Sequence, residues 1–209
     1  IETACRLAGR DASSVCLTAV SKTQPPQAID DILAAGQRVF GENRVQEAKT
    51  RWELRKPDFK DIELRLIGPL QTNKAVDAVQ LFDVIETLDR EKLARALAEA
   101  AQKLGRSVRV LVQVNIGEEP QKAGVAPNEA DALIQSARST FGLSVEGLMC
   151  IPPAGMDPTA HFQSLAQIAE RNGLGRLSMG MSGDFETAIG CGANHVRVGT
   201  ALFGERNRP

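Results

Sequence analysis

Residues 108–115 read Val108-Arg109-Val110-Leu111-Val112-Gln113-Val114-Asn115, and this stretch decides the fold class. A nearly continuous apolar run of β-branched residues suits a parallel strand buried on both faces better than a half-solvated antiparallel one. Seven more short runs of similar character stand at 15–21, 39–41, 63–67, 83–87, 144–150, 176–179 and 195–198. Between them lie helix signals with good ends. Pro25-Pro26 precedes Ala28-Ile29-Ile32-Leu33 and the segment stops at Gly36, which is proline at the start and glycine past the end. Asp89 is placed to cap Leu93-Ala94-Leu97-Ala98-Ala101, closed by Gly105. Asp157-Pro158 opens Phe162-Leu165-Ile168-Ala169, closed by Gly173. Each helix carries apolar residues at three- and four-residue steps and so presents one face to a sheet.

Eight βα alternations in 209 residues predict a closed (β/α)₈ TIM barrel in the α/β class, with residues 1–209 as one domain. An open doubly wound sheet needs a Gly-rich first turn, whereas the first strand runs into Val20-Ser21-Lys22 and no G-x-G-x-x-G occurs. The segment 1–8 reads as the end of a helix closed by Gly9, which implies that a short N-terminal piece precedes it. Little chain follows the eighth strand, so the N-terminal helix is expected to cover the last gap.

Composition narrows the function classes. A net charge of −1 gives no footprint for nucleic acid or an anionic membrane. No apolar run approaches the ~20 residues that span a bilayer, and the N-terminus does not read as a signal peptide. Four dispersed cysteines and two histidines argue for free thiols, no metal site and a cytoplasmic location.

In such barrels chemistry sits at the C-terminal ends of the strands. The residues there are Lys22, Glu42-Asn43, Gly68, Glu86, Asn115, Met149-Cys150, Ser182 and Gly199-Thr200. Lys22 leaves an apolar strand at the barrel mouth, where desolvation favours the neutral amine that imine formation requires; a snorkelling lysine is the alternative. The loop Ser178-Met179-Gly180-Met181-Ser182-Gly183-Asp184 leads into a helix beginning near Asp184, and Arg197-Val198-Gly199-Thr200 follows on strand eight. Both glycine-containing turns stand where these barrels bind phosphate. With Lys22 they describe a pocket for a phosphorylated aldehyde. Met181 is placed in that pocket, with core filler as its alternative. Arg197 shares the inward direction of Gly199 and has three readings: a phosphate contact, a partner for a pyridine nitrogen, or an ion pair with Glu42 or Glu86. Asn43 either touches the ligand or caps the next helix. His161 and His195 are read as structural.

These residues carry a resemblance. Ala19-Val20-Ser21-Lys22, Phe40-Gly41-Glu42-Asn43 with Val45-Gln46-Glu47, Ile67-Gly68-Pro69-Leu70-Gln71-Thr72-Asn73-Lys74, Glu119-Pro120-Gln121-Lys122-Ala123-Gly124, Gly147-Leu148-Met149-Cys150-Ile151-Pro152, 177–184, and Arg197-Val198-Gly199-Thr200 with Phe203-Gly204 resemble the pyridoxal phosphate homeostasis proteins. Their barrel is similar to the N-terminal domain of alanine racemases. The resemblance implies pyridoxal 5′-phosphate as a Schiff base on Lys22, with phosphate held by Ser182, Gly199 and Thr200. It places Arg197 at the pyridine nitrogen and Asn43 at the cofactor edge. Two positions depart from the family pattern: Arg44, where an aromatic residue is usual, and Arg65, where histidine is usual. Both are expected to alter the outer pocket or a partner surface and to leave the cofactor motifs untouched.

The resulting expectation is a binding protein for vitamin B6 homeostasis with no catalytic residue, a monomer or weak dimer. Its partners would be pyridoxal phosphate itself and enzymes that accept the cofactor. A racemase or decarboxylase on the same Schiff base is the rival, and a cofactor-free Schiff-base aldolase is a third reading. Racemisation needs a second acid–base group opposite Lys22. The racemase barrel receives a tyrosine from another domain, whereas this sequence has no tyrosine and ends soon after strand eight. Cys150 is the one residue at a strand end that stands as an alternative second base.

Overall fold

The computed structural model describes residues 1–204, and its eight parallel strands close into a barrel in chain order. They are β1 (Cys16–Val20), β2 (Val39–Glu42), β3 (Glu63–Leu66), β4 (Val84–Leu88), β5 (Arg109–Val114), β6 (Ser144–Cys150), β7 (Arg176–Ser178) and β8 (His195–Val198). Closure is made by β8 on β1, with Thr18 opposite Arg197 and Ala19 opposite Val198. The outer ring contains α1 (Glu2–Leu7), α2 (Pro26–Ala34), α3 (Val45–Trp52), α4 (Ala75–Leu81), α5 (Glu91–Leu104), α6 (Ala130–Ser139), α7 (Thr159–Arg171), α8 (Phe185–Gly190) and α9 (Thr200–Phe203).

The strands sort their side chains into two cores. Ala19, Leu64, Leu66, Val110 and Val112 point outward and bury against Ile29, Leu33, Leu93, Leu97, Phe162 and Leu165 of the helices. Burying each such leucine or phenylalanine contributes about 1.5–3 kcal/mol. Inside the barrel a small apolar cluster of Val84, Leu111 and Met149 fills the β4–β6 side. The rest of the interior is polar and includes Arg65, Glu86, Ser178 and Arg197, all buried.

Helix ends follow the sequence signals with one exception. Gly36, Gly105 and Gly173 take φ of +95°, +60° and +61° after α2, α5 and α7, conformations that end a helix without a Cβ penalty. Asp157 accepts the Thr159 N–H at 3.0 Å and opens α7. Asp89 does not cap α5. Arg90 is the N-cap residue, without a side-chain cap bond, and the Asp89 carboxylate pairs with the Arg90 guanidinium instead. A neighbouring cation outcompetes the backbone N–H for the carboxylate.

The seam between β8 and β1 is bordered by α1 and α9 rather than covered by the N-terminal helix alone. α1 packs against α8, and Arg10 Nη1 donates to the carbonyls of Ile189 and Ala193 at 2.8 and 2.7 Å, which satisfies backbone acceptors around the end of that helix. α1 and the single turn of α9 border a groove over Leu17 and Val198. Among the described residues no helix is long and apolar enough to cross a membrane, and no cluster of His, Cys, Asp or Glu is arranged to hold a metal ion.

Candidate functional site

Lys22 stands two residues past β1, half-buried in a turn at the C-terminal mouth. Thr23 follows it at φ +61°, a conformation that costs a β-branched residue energy; its hydroxyl donates to the Lys22 carbonyl at 2.6 Å. On the other side of Lys22, Ser21 is buried and gives its hydroxyl proton to Glu42 Oε1 at 2.7 Å. Glu42 also accepts Trp52 Nε1 at 2.9 Å and Arg51 Nη1 at 2.8 Å on Oε2. Its carboxylate therefore lies outside the barrel under α3, and a pairing of Glu42 with Arg197 does not occur. What Glu42 does is pin the strand ends that carry Lys22 and Asn43.

Asn43 follows β2 directly. It does not cap α3, whose N-cap residue is Arg44. Its Oδ1 is buried with no hydrogen-bond partner, and its backbone lies where a Cβ on Gly68 would sit. Asn43 and Arg44 line a groove of about 810 Å³ with Pro69, Lys74 and Arg90. The Arg44 side chain is exposed and pairs with Glu47 at 3.1 Å.

Across the barrel closure, the two glycine-containing loops meet. Ser182 Oγ accepts the Ala201 N–H at 3.3 Å, which ties the loop after β7 to the first turn of α9. Gly180 sits at φ +93°, and a Cβ there would come within 2.6 Å of the Ala188 side chain, so glycine is required for this loop to close on α8. Asp184 turns back to accept the Met181 N–H at 2.6 Å. Thr200 is exposed and opens α9. Gly199 lies against Val20, whose Cβ a substituent there would meet at 3.4 Å. The register thus places the Lys22 turn beside the loop after β8. Met181 is 38% exposed at the mouth, whereas Met179 and Met149 are core.

Arg197 points into the barrel and is 3% exposed. Its Nη2 donates to the Cys150 carbonyl at 2.8 Å, which holds the guanidinium level with the end of β6. Its Nη1 donates to Ser178 Oγ at 2.8 Å, and Ser178 donates to Glu86 Oε2. Glu86 is a mid-strand residue of β4 inside the barrel rather than a rim residue, because β4 runs on to Leu88. Arg65 corrects a sequence expectation. It is no surface residue: its side chain is 1% exposed and is paired with Glu86 and Glu63 inside the barrel. It therefore reaches Arg197 through Glu86 and Ser178, a route that spacing along the chain cannot show.

Burial decides the chemistry of Cys150, the alternative second base, and of His195, read as structural from the sequence. Cys150 is fully buried in the outer core, and burial pushes its thiol up to about 12. His195 lies at the N-terminal end of β8, beside Asn194 and Arg176, where burial brings its imidazole down to about 4.

The family model of the alanine racemase N-terminal domain matches residues 5–207. The chain is 41% identical to the pyridoxal phosphate homeostasis protein of Vibrio cholerae serotype O1, over 99% of this chain and 92% of that protein. It is 39% identical to the protein of the same name from Haemophilus influenzae, at the same coverage. Among solved structures, PipY of Synechococcus elongatus PCC7942 with PLP bound superposes at a TM-score of 0.84 with 39% identity, covering 95% of this chain and 97% of that one. The alanine racemase of Clostridium difficile 630 shares the fold at a TM-score of 0.75 and 14% identity, covering 99% of this chain and 56% of the racemase.

Proposed function

The chain belongs to the pyridoxal phosphate homeostasis protein family, and from that membership we propose that it carries pyridoxal phosphate on the amine of Lys22 and serves to hold and release it. The observation that carries this reading is the junction of β1 and β8. It sets Val20, two residues before Lys22, against Gly199, with Ser182 bridged to Ala201 alongside. The donor set fits the cofactor. The hydroxyls of Ser182 and Thr200 suit a phosphate. The buried, unpartnered Asn43 Oδ1 calls for a polar group of a ligand. Arg197 brings a permanent charge to the ring end of the pocket.

Bound pyridoxal phosphate supplies an aldehyde and an electron-withdrawing ring. The chain supplies attachment through Lys22, phosphate recognition through Ser182, Gly199 and Thr200, and a mouth contact through Met181. The guanidinium of Arg197 is a fork of N–H donors with no acceptor, so its role toward the ring would be to orient it.

A holder fits these surroundings better than a racemase. Proton transfer on two faces of a substrate carbon requires two acid–base groups. Cys150 faces the outer core with its proton firmly held, and His195 sits at the far end of the barrel. Delivery to enzymes that need the cofactor follows as the role of such a holder, in the compartment where those enzymes work. The test is reduction of purified protein with borohydride followed by peptide mapping. A pyridoxyl group on the Lys22 peptide is expected, and attachment at another lysine would overturn the assignment.

A further inference from the structure

The polar column inside the barrel continues below Arg197, and cofactor binding as described leaves its lower half without a role. Glu86 is fully buried and lies between two buried guanidinium groups. Its Oε1 takes Arg65 Nε and its Oε2 takes the Ser178 hydroxyl, both at 2.5 Å. Ser178 in turn accepts from Arg197, so Arg197 meets Glu86 through a hydroxyl rather than directly. Arg65 also pairs with Glu63, and Glu63 with Arg109 at 2.8 Å. The third guanidinium nitrogen of Arg65, Nη2, is buried without a partner. A neutral side chain would leave no such orphan, so packing alone does not favour arginine here.

Removing Arg65 would change the balance of charge inside the barrel. A fully buried carboxylate needs a cation close by, and the next nearest is Arg197, one hydroxyl away. A direct, two-pronged arginine–carboxylate pair is the strongest arrangement open to them. Forming it would draw the guanidinium down from the Cys150 carbonyl at the end of β6. On the reading that Arg197 faces the cofactor ring, we propose that Arg65 is a positioning residue: it supplies the counter-charge for Glu86 and so leaves Arg197 held at the barrel mouth. Burial pushes the Glu86 carboxyl up, but Arg65 and Arg197 outweigh it and keep the group below the usual range. Glu86 therefore stays an anion that must be matched.

The experiment titrates apo-protein with pyridoxal phosphate, following visible absorbance. Arg65→Met should weaken affinity about 10-fold or more, the scale of one hydrogen bond to a charged group. Arg65→Met combined with Glu86→Gln removes the carboxylate that captures Arg197, so affinity should return to within roughly 3-fold of the natural chain. A purely structural role for Arg65 would lower the unfolding temperature of Arg65→Met without weakening cofactor binding by its folded fraction. The double variant would then recover stability alone, since removing both charges leaves neither buried unpaired. Arg65→Lys keeps the charge and should bind within roughly 3-fold as well, which preserves the test if Arg65→Met proves too unstable to titrate. A crystal structure of cofactor-free Arg65→Met should show Arg197 paired directly with Glu86. Unchanged affinity in Arg65→Met, no recovery in the double variant, or binding by Arg65→Lys as weak as that of Arg65→Met would each overturn the proposal. Failure of the natural chain to bind would instead bring down the function proposed above, and this inference with it.

Discussion

The backbone N–H of Ala201 donates to the hydroxyl of Ser182 at 3.3 Å, so the loops after β7 and β8 form one structure rather than two. Ser182 accepts in that bond, and its own proton remains available to an anion. Ser182→Ala removes both the bridge and a phosphate donor, and Thr200→Ala removes the neighbouring hydroxyl. Each substitution should weaken pyridoxal phosphate binding about 10- to 100-fold, from about 1.5–3 kcal/mol per hydrogen bond to a charged group. Titration of the apo-protein checks this, and unchanged affinity in the double variant would remove the phosphate site from this position.

Lys22→Ala is expected to abolish the visible band and the borohydride-fixed label while leaving the fold intact. Lys22 lies past the last residue of β1 and is only half-buried, so little apolar contact goes with it. Thermal unfolding should stay within a few degrees of the natural chain, roughly what a loss under 1 kcal/mol produces. A large drop in unfolding temperature would show that Lys22 is structural.

The barrel is legible in the sequence because its strands declare themselves. The run Val110-Leu111-Val112 has only one good explanation, and the expected 144–150 and 195–198 segments match β6 and β8 residue for residue. What stays hidden is the face on which a polar residue points. Glu42 and Glu86 both fall near strand C-termini in the sequence, yet one lies outside the barrel under Trp52 and the other inside beside Arg65. Strands buried on both faces carry no apolar–polar alternation to settle that choice. An outer place for Arg65 fails for the same reason: only the closed barrel brings β3, β4, β7 and β8 together around one carboxylate. Asp89 fails as a cap because its competitor, Arg90, is adjacent in sequence and a preference scale weighs residues singly.

Cys150 tests the distinction between holder and racemase. With its thiol pushed up to about 12 by burial, it should resist alkylation in the native protein at pH 8, where thiolate is the reactive form. Holo-protein incubated with L-alanine in deuterated water should take up no deuterium at Cα at a turnover-level rate. Fast exchange that vanishes in Cys150→Ala would show the thiol acting as the second base, and the holder reading would then be wrong.

The last prediction concerns acid stability and follows from His195. Burial, and next to it the charge of Arg65, lower its imidazole to about 4, against 6.5 for an unperturbed histidine. Above pH 6.5 the ring is neutral in both folded and unfolded chains, so it contributes no pH dependence. Below pH 6.5 the unfolded chain takes up a proton that the folded one refuses, and stability falls until the folded ring also protonates near pH 4. The full span corresponds to about 3 kcal/mol, at 1.36 kcal/mol per tenfold change. Acidic groups do not blur the upper part of this window. The carboxyls of Glu63 and Glu86 are both raised by burial but held below their ordinary values by Arg65 and its neighbours. Stability that depends on them is present above about pH 4.5 and is lost only as pH falls further. Urea unfolding at pH 7.0, 6.0 and 5.0 should therefore show a progressive loss, and His195→Gln should flatten it. The substitution keeps a group able to bond Asn194, whose Oδ1 lies 3.1 Å from the imidazole Nδ1, so the variant is expected to fold. An unaltered slope between pH 6.5 and 5 in His195→Gln would show that the imidazole is not the titrating group.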